Sequence, residues 1–350
     1  MKKIKIGNKF IGEGEPCFII AEAGVNHNGD FRLAKKLIEA AKDAGVDAVK
    51  FQTFKAEDVV TKSVEMAEYQ KKNIGQKESQ LEMLKKLELN YEDFKKLRRY
   101  ADKKRILFLS TPDTDKDADF LENLVPAFKI GSADLTNHYL LEKVAKKKKP
   151  IILSTGMATL SEVGEAVKAL KAAGNDKIIL LHCTTSYPCP LLEVNLKAML
   201  TLKKQFGLLS GYSDHTLGVT VPIMAVALGA VILEKHFTLD KNLPGPDHKA
   251  SLNPKELKEM VEAVRKAEEV LGNGVKKPTK SEEKIKKVVR KSIVAGVDII
   301  GGDKIRENML AFKRAGVGLG PKYLNKIIGK KAKKDINKDD IITSGLIEGN

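Results

Sequence analysis

Gly207-Leu-Leu-Ser-Gly-Tyr-Ser-Asp-His-Thr216, a helix-length interval from Val219 to Leu228, and Ala230-Val-Ile-Leu-Glu-Lys-His-Phe237 read together as a strand, a helix and a second strand. The strands open as short apolar runs, Gly207 to Leu209 and Ala230 to Leu233, and a histidine, His215 or His236, follows each. Parallel strands joined by a helix set their carboxyl ends side by side, so the two imidazoles are expected to be neighbours. Imidazole is the commonest protein ligand for a divalent ion of intermediate hardness. Two at matching positions of successive units point to a metal site, which a lone loop histidine would not.

The same unit repeats outward from this stretch. Apolar strands are expected near Cys17 to Ala21, Val46 to Phe51, Ile106 to Leu109, Ala127 to Ile130, Ile151 to Leu153 and Lys177 to Leu181 as well. Between them lie segments with apolar residues at helical spacing, such as Phe31 to Ala44, Tyr91 to Lys103, Leu160 to Ala173 and Pro254 to Val270. Eight strand and helix alternations in about 250 residues read as a (β/α)₈ TIM barrel. A doubly wound open sheet is the alternative, but no G-x-G-x-x-G follows the first strand.

Lys3 to Ile6 and Lys9 to Ile11 flank Gly7-Asn8, which predicts an N-terminal β-hairpin within residues 1–16. The barrel domain is assigned to 1–271. Gly-Asn-Gly-Val-Lys-Lys-Pro has linker composition and gives a linker at 272–281, followed by a small β-rich domain over 282–350. The connection after the second strand, from Thr53 to about Lys77, is long enough to be a binding loop.

Composition removes several function classes. The formal charge of +16 suggests a polyanion partner, but the lysines are spread over every expected helix and only 5% of residues are aromatic. No nucleic-acid recognition signature accompanies them, so a non-catalytic polyanion-binding module is the weaker reading. Three cysteines, Cys17, Cys183 and Cys189, fit neither a metal knuckle nor a disulfide framework, which suits a reducing cytoplasm. No run has the length of a membrane span, and the first residues lack a signal-peptide core, so neither a membrane nor secretion is expected.

A barrel of this type carries its active site at the strand carboxyl ends. Those ends read Glu22; Lys50 with Gln52; Ser110-Thr111; Lys129 with Ser132; Ser154-Thr155-Gly156; His182 to Thr185; Ser213 to His215; and Glu234 to His236. Lys50 and Lys129 follow apolar runs and should point into the mouth. Either could form a Schiff base, but two lysines with Thr111, Ser132 and Ser213 read better as a phosphate and carboxylate cradle. Glu22 is the natural proton-transfer group. His182 is expected to be a buried hydrogen-bonded residue, and Cys183 a small buried one.

The ordered motifs Glu22-Ala-Gly-Val-Asn-His-Asn-Gly29, Val49-Lys-Phe-Gln-Thr53, Ser110-Thr-Pro112, Lys129-Ile-Gly-Ser132, Ser154-Thr-Gly-Met157, Gly211-Tyr-Ser-Asp-His-Thr216, Glu234-Lys-His-Phe-Thr238 and Pro244-Gly-Pro-Asp247 resemble the sialic acid synthase family. Lys313-Arg314-Ala-Gly-Val-Gly-Leu-Gly-Pro321 resembles that family's C-terminal antifreeze-like (SAF) domain. The resemblance implies condensation of phosphoenolpyruvate with an N-acylated amino sugar. It implies a divalent ion, Mn²⁺ first and Mg²⁺ or Co²⁺ otherwise, held by His215 and His236. Phosphoenolpyruvate would meet Lys50, Lys129, Ser132 and Ser213, with Thr111 and Thr185 nearby. Glu22 would manage the proton of the attacking water, with Glu234 as second candidate.

By the same resemblance the sugar would meet Gln52, Asn73, Asp134, Tyr187 and Asp247, and Arg314 would reach it across a domain-swapped homodimer. Three positions depart from the common pattern: Ser132-Ala133-Asp134 in place of Ser-Gly-Glu, Thr185 in place of an Asn, and Ala315 after Arg314 in place of Pro. They bear on the sugar more than on phosphoenolpyruvate. N-acetylmannosamine is the default substrate, a diacetamido-dideoxy hexose leading to legionaminate or pseudaminate the competitor, and a Schiff-base pyruvate aldolase the competing class.

Overall fold

The computed structural model describes residues 3–74 and 78–349, and the chain divides between Gly272 and Asn273 into two compact units. In the first, β1 (Lys3–Ile6) and β2 (Lys9–Gly12) pair as an antiparallel hairpin. Gly7 at its turn has φ of 59°, and a Cβ there would lie 2.6 Å from Leu107 Cδ2, so a side chain is excluded by backbone and by space. Ile4, Ile6 and Ile11 are buried against the side chains that fill the barrel, which makes the hairpin a plug for its amino-terminal end.

Eight parallel strands follow: β3 (Phe18–Gly24), β4 (Ala48–Thr53), β5 (Leu107–Pro112), β6 (Phe128–Ile130), β7 (Ile151–Ser154), β8 (Ile178–His182), β9 (Leu209–Asp214) and β10 (Ile232–His236). Their order is β5-β4-β3-β10-β9-β8-β7-β6, so the last barrel strand pairs with the first. β5 and β6 lie side by side without a ladder, and the barrel is nearly closed. Each expected helix is present, including Phe31–Ala44, Tyr91–Lys104, Leu160–Ala172 and Pro254–Leu271. Side-chain caps at Asp30, Asn90, Thr159 and Asn253 begin these four helices.

Side chains of a strand alternate between faces, and here the alternation separates packing from chemistry. Ile19, Ala21 and Ala23 of β3 face the helices, while Phe18 and Ile20 fill the interior and Glu22 stands above them. The same register puts Lys50 above Ala48, Thr111 above Leu109, Lys129 above Ala127, and Glu234 above Ile232. Each fully buried aliphatic or aromatic side chain below this level stabilises the fold by about 1.5–3 kcal/mol. Gly211 keeps the interior passable: a Cβ there would meet Ile232 O at 2.3 Å and Leu181 Cδ2 at 2.8 Å.

Two expectations change. Strands β3, β4, β5, β9 and β10 run two to five residues beyond the apolar runs, so Glu22, Gln52, Thr111, Ser213, Glu234 and His236 lie on strands and not after them. Polar residues continue the ladder because their backbones pair while their side chains face a wet mouth. The long connection after β4 is not an open loop either. It contains the helices Ala56–Val59, Glu68–Ile74 and Gln80–Leu87, and Met66, Met83 and Leu87 form a small core with Val25 and Phe54.

The second unit opens with a helix, Lys280–Val289, capped by Thr279 and Glu282, where the sequence suggested linker running into β structure. β11 (Lys291–Ala295) and β12 (Leu310–Arg314) then pair antiparallel over a core of Ile293, Ile299, Ile305, Ile336 and Ile342. Arg314 ends β12 opposite Lys291 and is exposed.

Candidate active site

At the carboxyl ends of the strands, inward-facing side chains enclose a cavity of about 210 Å³. Its floor is a buried charge cluster. Lys50 Nζ lies 2.7 Å from Glu22 Oε2, donates to Thr111 Oγ1 at 2.8 Å, and lies 3.9 Å from Glu234 Oε2. Lys129 Nζ is 3.4 Å from Glu234 Oε1, which also accepts from Ser213 Oγ at 3.0 Å. Gln52 Nε2 donates to Glu22 Oε1 at 3.4 Å. Glu22, Lys50, Lys129 and Glu234 are each at least 96% buried, so every charge here depends on its neighbours.

The four groups respond differently. Burial pushes the Glu22 carboxyl up, and Lys50 only partly offsets it. Burial would raise Glu234 too, but Lys129 and Lys50 outweigh it and hold that carboxylate ionised. Burial also opposes the charge on Lys50, yet Glu22 and Glu234 raise its affinity for a proton above the usual lysine value. Lys129 goes the other way: burial dominates and lowers it. The lysine with fewer partners is thus the one that stands to gain most from an incoming anion.

A second wall carries the neutral donors. Ser132 Oγ accepts from the Gly156 amide at 3.0 Å and sits 3.1 Å from Cys183 Sγ. Thr185 completes this corner: a Cβ on Gly156 would fall 2.3 Å from Thr185 Oγ1 and 2.8 Å from Ser132 Oγ. Asp134 follows on a short 3₁₀ turn, Ser132–Asp134, with Asp113 also lining the cavity. Burial, then the neighbouring Asp134 and Asp117, push the Asp113 carboxyl up to about 8.

The opposite edge holds the imidazoles. His215 and His236 have ring centroids 5.6 Å apart, and Tyr187 packs against the first at 4.2 Å with its ring tilted by 35° and meets the second edge-on at 5.6 Å. Burial lowers both histidines, His236 strongly, so both rings are neutral and carry a lone pair. The Nδ1–H of His215 donates to Thr184 O at 2.7 Å, which fixes the tautomer and leaves Nε2 free to ligate. Nδ1 of His236 is buried without a hydrogen-bond partner. Such a pair fits a divalent ion. Among the described residues no group of three or more His, Cys, Asp or Glu side chains forms a ready-made cage, so further ligands would come from substrate and water.

Of the barrel residues assigned to substrate, metal or catalysis, Asn73 and Asp247 do not line the cavity. Asn73 Nδ2 donates to Pro246 O at 2.6 Å and steadies the loop after β10. Asp247 is buried beneath His236, with Oδ2 3.9 Å from Nδ1, and burial raises its carboxyl to about 6. Arg314 belongs to the other unit. His182 is hydrogen-bonded, as expected, with Nε2 2.8 Å from Val194 O, but it is half-buried where full burial was expected. Asp113 and the wall position of Cys183 were missed. Asp113 directly follows Ser110-Thr-Pro112 at a strand end, which is the signal that would have found it.

A nearly closed parallel barrel whose strand ends converge buried lysines, carboxylates and imidazoles on one cavity defines a barrel enzyme for small polar substrates. The chain belongs to the NeuB family: that family matches residues 37–276, and the SAF domain matches residues 290–348. The resemblance read from the motifs, and with it the barrel and antifreeze-like domain classes, is borne out. The chain is 49% identical to the N,N'-diacetyllegionaminic acid synthase of Legionella pneumophila, over 95% of this chain and 94% of that one. With the synthase of the same description from Campylobacter jejuni it shares 50% identity, over 93% and 98%. The crystal structure of N-acetylneuraminic acid synthetase from Leptospira borgpetersenii, in complex with citrate, matches at 38% identity and a TM-score of 0.72, covering 81% of this chain and 95% of that one. No helix among the described residues is long and apolar enough to cross a membrane.

Proposed function

We propose that this enzyme condenses phosphoenolpyruvate with the open-chain aldehyde of an N-acylated amino sugar, giving a nonulosonic acid and inorganic phosphate. The carrying observation is the division of one cavity into an anion side, with Lys50, Lys129 and the Ser132–Gly156–Thr185 corner, and an imidazole side. The sugar we favour is a diacetamido hexose leading to a legionaminate-type product, in place of the N-acetylmannosamine default. Identity of 49–50% to two N,N'-diacetyllegionaminic acid synthases, against 38% to the N-acetylneuraminic acid synthetase, supports this choice.

In this reading Lys129 and Lys50 take the substrate's carboxylate and phosphate, helped by Ser213, Thr111 and the neutral corner. Carbon three of the enol phosphate attacks the aldehyde carbon, and the aldehyde oxygen becomes a hydroxyl. Water adds at carbon two; one of its protons passes through Glu22 to the aldehyde oxygen, and the other leaves with the phosphate as the C–O bond breaks to give a ketone. When bound at His215 and His236, a divalent ion, Mn²⁺ before Mg²⁺ or Co²⁺, would polarise the aldehyde. Glu234, held ionised between two lysines, balances their charge and is the poorer proton carrier. Asp134, Gln52 and Tyr187 face the sugar. We also propose a cytoplasmic homodimer in which Arg314 of one protomer completes the other's site.

The Ser132–Gly156–Thr185 corner yields a direct test. Gly156→Ala inserts a methyl group where two hydroxyls converge, an overpacking that costs about 1–3 kcal/mol. The KM for phosphoenolpyruvate is expected to rise about tenfold or more, and the melting temperature to fall by a few degrees. An unchanged KM would remove this corner from the phosphate site.

The function itself is tested by phosphate release with phosphoenolpyruvate, Mn²⁺ and a panel of amino sugars. Release should require all three components and be fastest with a diacetamido hexose. Full activity after complete chelation would sink the metal role, and preference for N-acetylmannosamine would return the default sugar. A pyruvate adduct trapped by borohydride on Lys129, the lysine that burial makes more nucleophilic, would instead establish the Schiff-base aldolase.

A further inference from the structure

Among the buried charges that the proposed chemistry leaves unused, two face each other. Asp214 and Lys235 are each about 1% exposed, and they form an ion pair on the helix-facing side of β9 and β10. Their strand neighbours on that side, Tyr212, Leu233 and Phe237, belong to the apolar layer between strands and helices. The two residues are register partners, as are Ser213 and Glu234 one step earlier. Ser213 and Glu234 join the strands from inside the barrel, and Asp214 and Lys235 join them from outside.

The outer joint is a closed knot. Lys235 Nζ donates to Asp214 Oδ2 and to the carbonyl of Thr216. Asp214 Oδ1 accepts from the Thr216 amide at 3.0 Å, and Oδ2 accepts from the Thr216 hydroxyl at 3.1 Å. His215 therefore sits between two residues fixed to Lys235, and Lys235 directly precedes His236. An apolar pair of similar volume would suit this layer as well or better for stability alone. What the charged knot adds is a single allowed geometry.

We propose that the Asp214–Lys235–Thr216 knot is a positioning device that holds the His215 and His236 rings at the separation at which they share one ion. This rests on the reading that the histidine pair binds a divalent metal. The test uses full-length enzyme and two neutralised variants, so that no unpaired charge is left buried. In D214N/K235M the cross-strand tie is removed, and in D214N/K235Q an amide can remake it without charge. Mn²⁺ affinity is read by electron paramagnetic resonance without turnover, phosphoenolpyruvate binding to metal-free enzyme by calorimetry, and folding by thermal melts.

D214N/K235M is expected to bind Mn²⁺ about ten- to a hundredfold more weakly, the range found for residues that orient metal ligands. Its phosphoenolpyruvate affinity should stay within about twofold of wild type, and D214N/K235Q should recover most of the metal affinity. Wild-type Mn²⁺ affinity in D214N/K235M would overturn the proposal. So would parallel loss of metal and phosphoenolpyruvate binding with a collapsed melting temperature, because that is a structural role only. Wild-type enzyme that binds no Mn²⁺ would be a distinct result, refuting the metal reading and this inference with it.

Discussion

Glu22→Gln is expected to lower kcat for phosphate release by about two to four orders of magnitude, the usual contribution of a positioned general acid or base. The substitution keeps the size of the side chain and leaves Gln52 and Lys50 within hydrogen-bonding range, so binding should survive. The KM for phosphoenolpyruvate should stay level or fall, because a negative charge has left a site that must accept a multiply charged anion. Residual activity above a tenth of wild type would reassign the proton to another group.

The same residue fixes the sign of the pH dependence. Burial raises the Glu22 carboxyl above the usual carboxylate range, and the nearby Lys50 only moderates this. A base must be deprotonated, so kcat should fall as pH drops through that raised value, and the bound anion should push the limb higher still. Glu22→Gln should flatten the limb. The profile of kcat is the diagnostic one, because phosphoenolpyruvate titrates near pH 6 as a phosphate monoester and shapes kcat/KM independently.

Much of this site could be read from the chain because strand alternation and barrel topology do the same sorting. Once Phe18, Ile20 and Glu22 are seen on one face of β3, the carboxylate must stand at the mouth, and the argument repeats for Lys50, Lys129 and Glu234. The apolar runs ended too early for the same reason: polar side chains directed into a wet mouth look like loop. Cross-strand register was not legible. Which carboxylate meets which lysine, and that Asp214 faces Lys235, depends on pairing between segments that no single periodicity encodes. The helices in the connection after β4 were missed because Met66, Met83 and Leu87 find their partners in Val25 and Phe54. Asp113 was missed because the apolar run stops at Leu109, three residues short of the strand's end at Pro112, and the carboxyl end was read only as far as Thr111.

Lys129→Met is expected to separate binding from stability in a way that no other substitution in the cluster can. Burial disfavours the Lys129 ammonium more than Glu234 supports it, so the folded protein already bears a cost for that charge. Methionine fills similar volume without it, and Glu234 keeps Ser213 at 3.0 Å and Lys50 at 3.9 Å. Glu234 loses the nearer of its two cations but keeps Lys50 and Ser213, so the melting temperature should fall only modestly. The substrate loses a charge-assisted bond of about 2–3 kcal/mol, which should raise the KM for phosphoenolpyruvate some thirty- to hundredfold. Lys50→Met should cost more stability: it strips Glu22 of its cation and weakens the hold on Glu234, a loss of about 3–5 kcal/mol. Calorimetric melts and steady-state kinetics on the two variants decide the matter. If Lys129→Met melts as low as Lys50→Met and leaves KM unchanged, Lys129 is part of the scaffold and the anion is held elsewhere.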